Sequence, residues 1–152
     1  MSRRSGRGVD ARGRSKRGGQ FVPISNDMAA SVAWRSLNGN AIKVYVELHS
    51  RYNGGNNGDL SLSLDEAARL LHLGKATVAR AFAELEAKGF IRMTARGQWY
   101  GRLATTYAVT DRPIGNNPPT NAWRIWRPDK NHSSVPIRTD ERADGSATEP
   151  RP

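Results

Sequence analysis

The chain has 152 residues, no cysteine, 37% hydrophobic residues and a formal net charge of +10. This length accommodates one modest domain, and the lack of cysteine excludes disulfides and thiolate metal ligands. No apolar run approaches the roughly 20 residues of a membrane-spanning helix, and the arginine-rich start lacks the apolar stretch of a secretory signal. We therefore expect a cytoplasmic protein that is not a membrane protein. Its charge indicates a polyanionic partner but does not identify it, because membrane surfaces and acidic proteins are polyanions as well as nucleic acids.

The first 20 residues consist mainly of glycine, serine and arginine. They hold seven basic residues against one acidic residue, and so contribute +6 of the net charge. Such a segment cannot bury a core, and we expect residues 1–20 to form a disordered arm. The arm either follows the phosphates of DNA or only keeps the protein in solution, and the sequence leaves both open. Its basic residues are Arg3, Arg4, Arg7, Arg12, Arg14, Lys16 and Arg17.

Two helices are predicted before position 53. Ser25 can cap the first helix, which the apolar pattern extends to about Leu37. A second helix follows Asn38-Gly-Asn40 and continues to about Tyr52. The glycine and asparagine residues at 53–58 then break the chain and predict a long loop, followed by a short strand at 60–62.

Two further helices with a tight turn between them are predicted for residues 63–88. Ser63 and Glu66, three residues apart, form the pattern of a capping box at the start of the first. Gly74 lies at the break, and Lys75 begins the second helix, whose apolar residues at 78, 82 and 85 share one face. Gly89 supplies the left-handed residue that ends this helix.

A β-hairpin is predicted after these helices. Residues 90–93 and 103–109 alternate like strands, and two glycines between them favour a turn. We expect Tyr100 to pack on the core as a strand residue, and Trp99 either to do the same or to contact DNA. The other tip residues suited to DNA phosphates, bases or a narrow minor groove are Arg96, Gln98 and Arg102.

This order of elements predicts an α+β, mainly helical fold of the winged helix-turn-helix type. It would contain about four helices plus a β-hairpin wing, between disordered tails. We expect the arm at 1–20, the winged domain at 21–110 and a proline-rich polar tail at 111–152. Within this tail Trp123 and Trp126 either pack back on the domain or dock on a protein partner or a second copy of the chain.

The second helix of a helix-turn-helix lies in the major groove of DNA while the first supports it. The face opposite the apolar residues would meet the DNA. There Arg80 can donate two hydrogen bonds to a guanine edge, Thr77 can bond a base or phosphate, and alanines permit close approach. The predicted residues of this face are Lys75, Ala76, Thr77, Ala79, Arg80 and Ala83.

Enzymatic patterns are lacking in the sequence. The histidines at 49, 72 and 132 are far apart and have no carboxylate at metal-ligand spacing. Asp65 and Glu66 fit first-turn charges that complement a helix dipole. There is no phosphate-binding glycine loop and no nucleophile elbow. We expect no catalytic residue, no metal and no cofactor.

The run LSLDEAARLLHLGKATVARAFAELEAKGFI at 62–91 resembles the helix-turn-helix core of bacterial winged-helix regulators and of plasmid or phage replication proteins. The stretch 21–126, about two thirds of the chain, is similar to helix-turn-helix proteins of alphaproteobacterial genomes, prophages and integrative elements. In this resemblance Lys75, Thr77 and Arg80 match the recognition-helix positions. Gly74 departs from the usual serine or threonine, which weakens the helix start by a few tenths of a kcal/mol.

The resemblance implies DNA binding. Together with the residues described above, it leads us to expect sequence-specific binding of double-stranded DNA by a cytoplasmic, nucleoid-associated protein. The expected role is transcription regulation in a bacterial chromosome or mobile element. Replication initiation or excision control is the alternative within the same chemistry. A protein-interaction module that uses the winged fold is the alternative from another class, and homodimerisation stays open.

Overall fold

The computed structural model describes residues 20–129, and of Trp99 only the backbone. This part of the chain has an α+β fold with five α-helices and one three-stranded antiparallel sheet, a general shape compatible with the predicted winged helix. The elements in chain order are α1 (Asn26–Ala30), α2 (Val32–Arg35), α3 (Gly39–Ser50), β1 (Leu60–Ser61), α4 (Leu64–Leu71), α5 (Lys75–Ala87), β2 (Ile91–Ala95) and β3 (Thr106–Val109).

The first predicted helix is divided into α1 and α2. Ser25 caps α1 as predicted, because its Oγ accepts a hydrogen bond from the Met28 backbone N–H at 3.2 Å. Ser31 then interrupts the helix with an extended backbone, at φ −67° and ψ 149°. Its hydroxyl donates to the Met28 carbonyl at 2.7 Å and accepts from the Trp34 N–H at 3.1 Å. One serine thus satisfies backbone groups on both sides of the break.

Helix α3 supplies much of the core. It buries Val44, Tyr45, Leu48 and His49, and it packs against α4 and α5. The Tyr45 hydroxyl donates to one carboxylate oxygen of Asp111 at 3.2 Å, and His49 Nε2 lies 3.0 Å from the other. Burial, reinforced by the nearby Asp111 charge, raises the pKa of Tyr45 well above its ordinary value.

The sheet has the strand order β1-β3-β2, so that β3 pairs with both neighbours. Leu60 pairs with Tyr107 and Ile91 with Val109, which places apolar side chains of all three strands against the helices. The register between β2 and β3 shifts by one residue between Met93 and Ala95. Such a bulge bends and twists the hairpin where it leaves the core.

The loop at 53–58 is tied to the sheet by one buried asparagine. The Asn57 side chain accepts from the Val109 N–H at 2.8 Å and donates to the Val109 carbonyl at 2.8 Å. It also donates to the carbonyls of Arg112 and Pro113, at 3.0 and 3.3 Å. This loop is therefore a fixed part of the fold.

The described fold continues past position 110, where the winged domain was expected to end, and reaches residue 129. Trp123 is 3% exposed and its indole is stacked on Phe90, with ring centroids 6.4 Å apart and ring planes 3° apart. Gly89 permits this packing, because a Cβ atom at its φ of +79° would lie 2.7 Å from the carbonyl carbon of Ala122. Several contacts hold this segment on the domain: the buried ring of Trp123, the bonds of Asp111 to Tyr45 and His49, and the bonds from the Asn57 side chain to the carbonyls of residues 112 and 113.

The described helices include none that is both long and apolar enough to cross a membrane. The longest, α5, has 13 residues.

Candidate nucleic-acid interface

The turn between α4 and α5 contains one residue in the left-handed conformation and one glycine in an extended conformation. His72 ends α4 in the left-handed conformation, with φ of 54°, and its N–H bonds the Ala68 carbonyl. Gly74 precedes α5 as its N-cap and has no side chain to bond the first N–H groups of the helix. The start of α5 is therefore uncapped by any side chain of residues 20–129.

The predicted capping box of α4 is half formed. The Ser63 hydroxyl accepts from the Glu66 N–H at 3.1 Å, as predicted. The Glu66 carboxylate instead accepts from the Arg51 guanidinium at 2.9 Å, and this hydrogen bond lowers the pKa of Glu66. Arg51 also bonds Glu47 and the Ser61 carbonyl, so it connects α3, β1 and α4. A long-range ion pair has replaced the local bond that the spacing predicted.

Helix α5 is held against the sheet by its apolar face. Val78, Ala81 and Leu85 are buried, and the ring of Phe82 is stacked on Tyr107 of β3 at a centroid distance of 4.8 Å. Burial, with a further contribution from a nearby glutamate, raises the pKa of Tyr107. This packing fixes the rotation of α5 about its axis and so decides which side chains face solvent.

The solvent face of α5 carries the residues predicted for DNA contact. Lys75, Ala76, Ala79, Arg80 and Ala83 are exposed, and Thr77 is half-buried. The Arg80 Nε donates to the carbonyl of Ala76 on the same helix at 3.2 Å. Arg80 is the one long side chain among three short alanines on this part of the surface.

Two glutamates of α5 are occupied in holding the scaffold. Glu84 accepts from the Asn38 N–H at 3.1 Å and from Lys88 Nζ at 2.7 Å. Glu86 accepts from the Met93 N–H at 3.1 Å, at the base of the hairpin. Their charge is therefore partly used within the domain.

The hairpin extends beyond the sheet as a wing, defined here as residues 95–106. Gln98 pairs with Leu103 in an isolated bridge, and residues 99–101 form a 3-10 turn at the tip. A Cβ atom on Gly97 would lie 2.6 Å from the Leu103 carbonyl oxygen, so the two sides approach closely only with glycine there. Arg102 adopts the left-handed conformation, with φ of 51°.

The expectation that Tyr100 packs on the core is wrong. Tyr100 is 99% exposed, because it lies in the tip turn and the strands that contact the core end before it. Arg96, Gln98 and Arg102 are exposed around it. The question of where the Trp99 ring lies falls outside the described side chains.

The wing has no acidic residue. The sequence contains none between Glu86 and Asp111, whereas it has four basic residues in that interval. Within residues 20–129, Arg80, Arg96 and Arg102 have no carboxylate within 4.0 Å. These three arginines thus face solvent without a neutralising acid.

The remaining predicted sites are the basic arm and the two tryptophans at 123 and 126. The basic residues of the arm lie outside the described residues. Trp123 is a core residue, so its ring is not exposed for docking on a partner. Trp126 is half-buried, and Lys88 Nζ lies 5.2 Å from the centroid of its ring. A cleft of about 380 Å³ lies beside Trp123 and Arg124 and is lined by no residue of α5 or the wing. No cluster of three or more metal-ligating side chains occurs among residues 20–129.

Two features of the surface were missed from the sequence. Arg92 is exposed between the buried Ile91 and the half-buried Met93, an alternation that already predicts an outward side chain. Lys75 forms an ion pair with Asp65 across the turn, and no local spacing rule identifies that contact.

No family model, curated protein or solved structure matches this chain. The function is therefore inferred from the residues and their geometry.

Proposed function

We propose that the protein is a winged helix-turn-helix factor that binds double-stranded DNA with sequence preference. The observation that carries the proposal is the exposed cationic character of two elements, the solvent face of α5 and the wing. Arg80 on α5, and Arg96 and Arg102 on the wing, have no carboxylate partner within residues 20–129, and Arg80 lies among short alanine side chains. Cationic side chains without a neutralising acid attract the phosphate backbone of nucleic acids.

The dimensions of α5 suit the major groove. Its 13 residues give a length of about 20 Å, and the groove of B-DNA is about 12 Å wide. The alanines at 76, 79 and 83 let the helix backbone come close to the base edges. Arg80 then reaches a guanine, since it is the long donor in the middle of this stripe and its bond to a helix carbonyl is readily exchanged.

The wing supplies backbone contacts beside α5. Arg96 and Arg102 bind phosphates or a narrow minor groove, in which the negative potential is strongest. The exposed ring of Tyr100 between them packs on a deoxyribose or base. These contacts position the protein on the duplex, and α5 reads the sequence.

The proposed role is transcription regulation in a bacterial chromosome or mobile element. Replication initiation or excision control uses the same DNA contacts and is distinguished by where the bound sites lie in the genome. A protein-interaction module would not depend on Arg80 for nucleic-acid affinity.

The decisive experiment is selection from a random duplex library with the full-length protein at near-physiological salt. We expect an enriched motif, and the Arg80→Ala variant should lose about 1–3 kcal/mol of affinity for it and relax at one base position. Arg35→Ala is the matched control, because Arg35 is also exposed but lies on α2. No enriched motif, or equal affinities of the two variants, would refute sequence-specific reading by α5.

A further inference from the structure

One cation of the proposed interface is already paired with an acid. Lys75, the first residue of α5, forms an ion pair with Asp65, the second residue of α4. Both side chains are mainly exposed, at 67% and 72%. Within residues 20–129, Arg80, Arg96 and Arg102 have no such partner, so this pair distinguishes Lys75 from the other interface cations.

The position of Asp65 opposes phosphate binding. A phosphate that approached Lys75 and the uncapped start of α5 would meet the Asp65 carboxylate, which is held beside the lysine ammonium group. Binding DNA at this point exchanges one ion pair for another and brings two negative charges near each other. Two unit charges about 7 Å apart in water interact by roughly the thermal energy, a factor of about 2–3 in an equilibrium constant.

We propose that Asp65 is a built-in competitor for DNA phosphate, which engages Lys75 in the free protein and lowers the affinity for every duplex sequence. This inference rests on the proposed DNA-binding function and adds to it a residue that limits affinity. Repulsion of the phosphate by Asp65 and loss of the Asp65–Lys75 ion pair each lower the affinity for DNA by a small factor, because interactions between exposed charges are weak. Together they lower the affinity by about three- to tenfold at low salt.

Asp65 is not required for the helix that carries it. Ser63 already caps α4, and Glu66 is bonded to Arg51. Asp65 adds only the favourable charge of an acid in a first helical turn, a contribution that an asparagine partly replaces. The Asp65→Asn variant therefore folds and keeps the shape of the side chain while it loses the charge.

A matched control exists in the same domain. Asp27 is the second residue of α1, its side chain is 77% exposed, and its carboxylate lies 3.5 Å from the Arg124 guanidinium. Asp27→Asn thus removes the same charge from an equivalent helix position and a comparable exposed pair. It differs from Asp65→Asn in lying outside the proposed interface.

The test measures the affinity of the full-length variants for a 20-base-pair duplex of random sequence, by fluorescence anisotropy at about 50 and 200 mM KCl. We expect Asp65→Asn to bind three- to tenfold more tightly than wild type at the lower salt, and Asp27→Asn to stay within twofold. The gain shrinks at the higher salt, because screening weakens both charge effects. We also expect the gain from Asp65→Asn to fall to less than half when it is measured in the Lys75→Ala background, that is, between the double variant and Lys75→Ala alone.

Each adverse outcome has a separate meaning. Equal gains for Asp65→Asn and Asp27→Asn would overturn the inference, since the effect would then follow net charge alone. A gain that persists fully with Lys75→Ala would also overturn it, because the pair would not be its cause. Failure of wild type and Asp65→Asn alike to bind any duplex would overturn the proposed function itself.

Discussion

The buried amide of Asn57 allows a direct test of how the loop at 53–58 is attached to the sheet. Asn57 is 8% exposed, and its side chain bonds both backbone groups of Val109, which is fully buried. Replacing Asn57 by alanine leaves the Val109 N–H and carbonyl without their partners. Each unpaired buried group costs about 1–3 kcal/mol, so the two together should lower the free energy of unfolding by roughly 2–6 kcal/mol. A loss on the order of 3 kcal/mol lowers the Tm of a domain of this size by roughly 10 °C or more.

The assay is urea and thermal denaturation followed by circular dichroism, with Asn53→Ala as control. Asn53 lies in the same loop, but its side chain is exposed and bonds only the Gly55 N–H. The Asn53→Ala control should lower the free energy of unfolding by no more than about 1 kcal/mol. Asn57→Asp should be at least as unstable as alanine at neutral pH, because a carboxylate oxygen then faces carbonyl oxygens where Nδ2 donated. An Asn57→Ala variant as stable as Asn53→Ala would refute this assignment of the amide network.

Two further variants test the packing around the same region. Gly89→Ala should lower the free energy of unfolding, measured in urea, by at least about 2 kcal/mol, because an alanine at φ +79° is strained and its Cβ would clash with Ala122. The control Gly39→Ala should be neutral or slightly stabilising, because no atom lies within 4 Å of its Cβ position. Equal effects of the two substitutions would contradict the close approach of Gly89 to Ala122. Tyr45→Phe removes the hydrogen bond to Asp111 and should therefore lower the free energy of unfolding at pH 7 by about 1–3 kcal/mol. Because folding raises the pKa of Tyr45, its contribution is fully present below pH about 10 and is lost as the pH rises through the folded value. The stability difference between wild type and Tyr45→Phe should therefore narrow above pH about 10, and a constant difference would contradict the raised pKa.

The features predicted correctly from the sequence are those decided by neighbouring residues. Ser25 and Ser63 cap their helices with their own hydroxyls, and Gly89 ends α5 with a positive φ. The apolar residues of α5 repeat at helical spacing and are buried together. Each of these outcomes depends on a few consecutive residues, so a local pattern is sufficient to predict it.

The failures have a common physical origin in contacts between distant residues. Glu66 bonds Arg51 of α3 in place of the backbone at its own helix start. Trp123 finds an apolar partner in Phe90, which is one of the outcomes that the sequence left open for it. Tyr100 has no such partner, because the wing carries it beyond the core. None of these partners can be identified from spacing along the chain, since tertiary packing overrides local preference.

The charge of each surface is likewise decided by contacts between distant residues, because the electric field at a surface depends on which charges are paired. Residues 21–110 carry ten basic and seven acidic residues, an excess of only +3. In the fold, however, several of the acids are bound within the scaffold, as in the pairs of Arg51 and Lys88 with their glutamates. The wing has no acid at all, so its positive charge is separated from the negative charge of the domain. A surface separated in this way attracts a polyanion far more strongly than the net charge suggests, and the Asp65–Lys75 pair marks the place where the separation is incomplete.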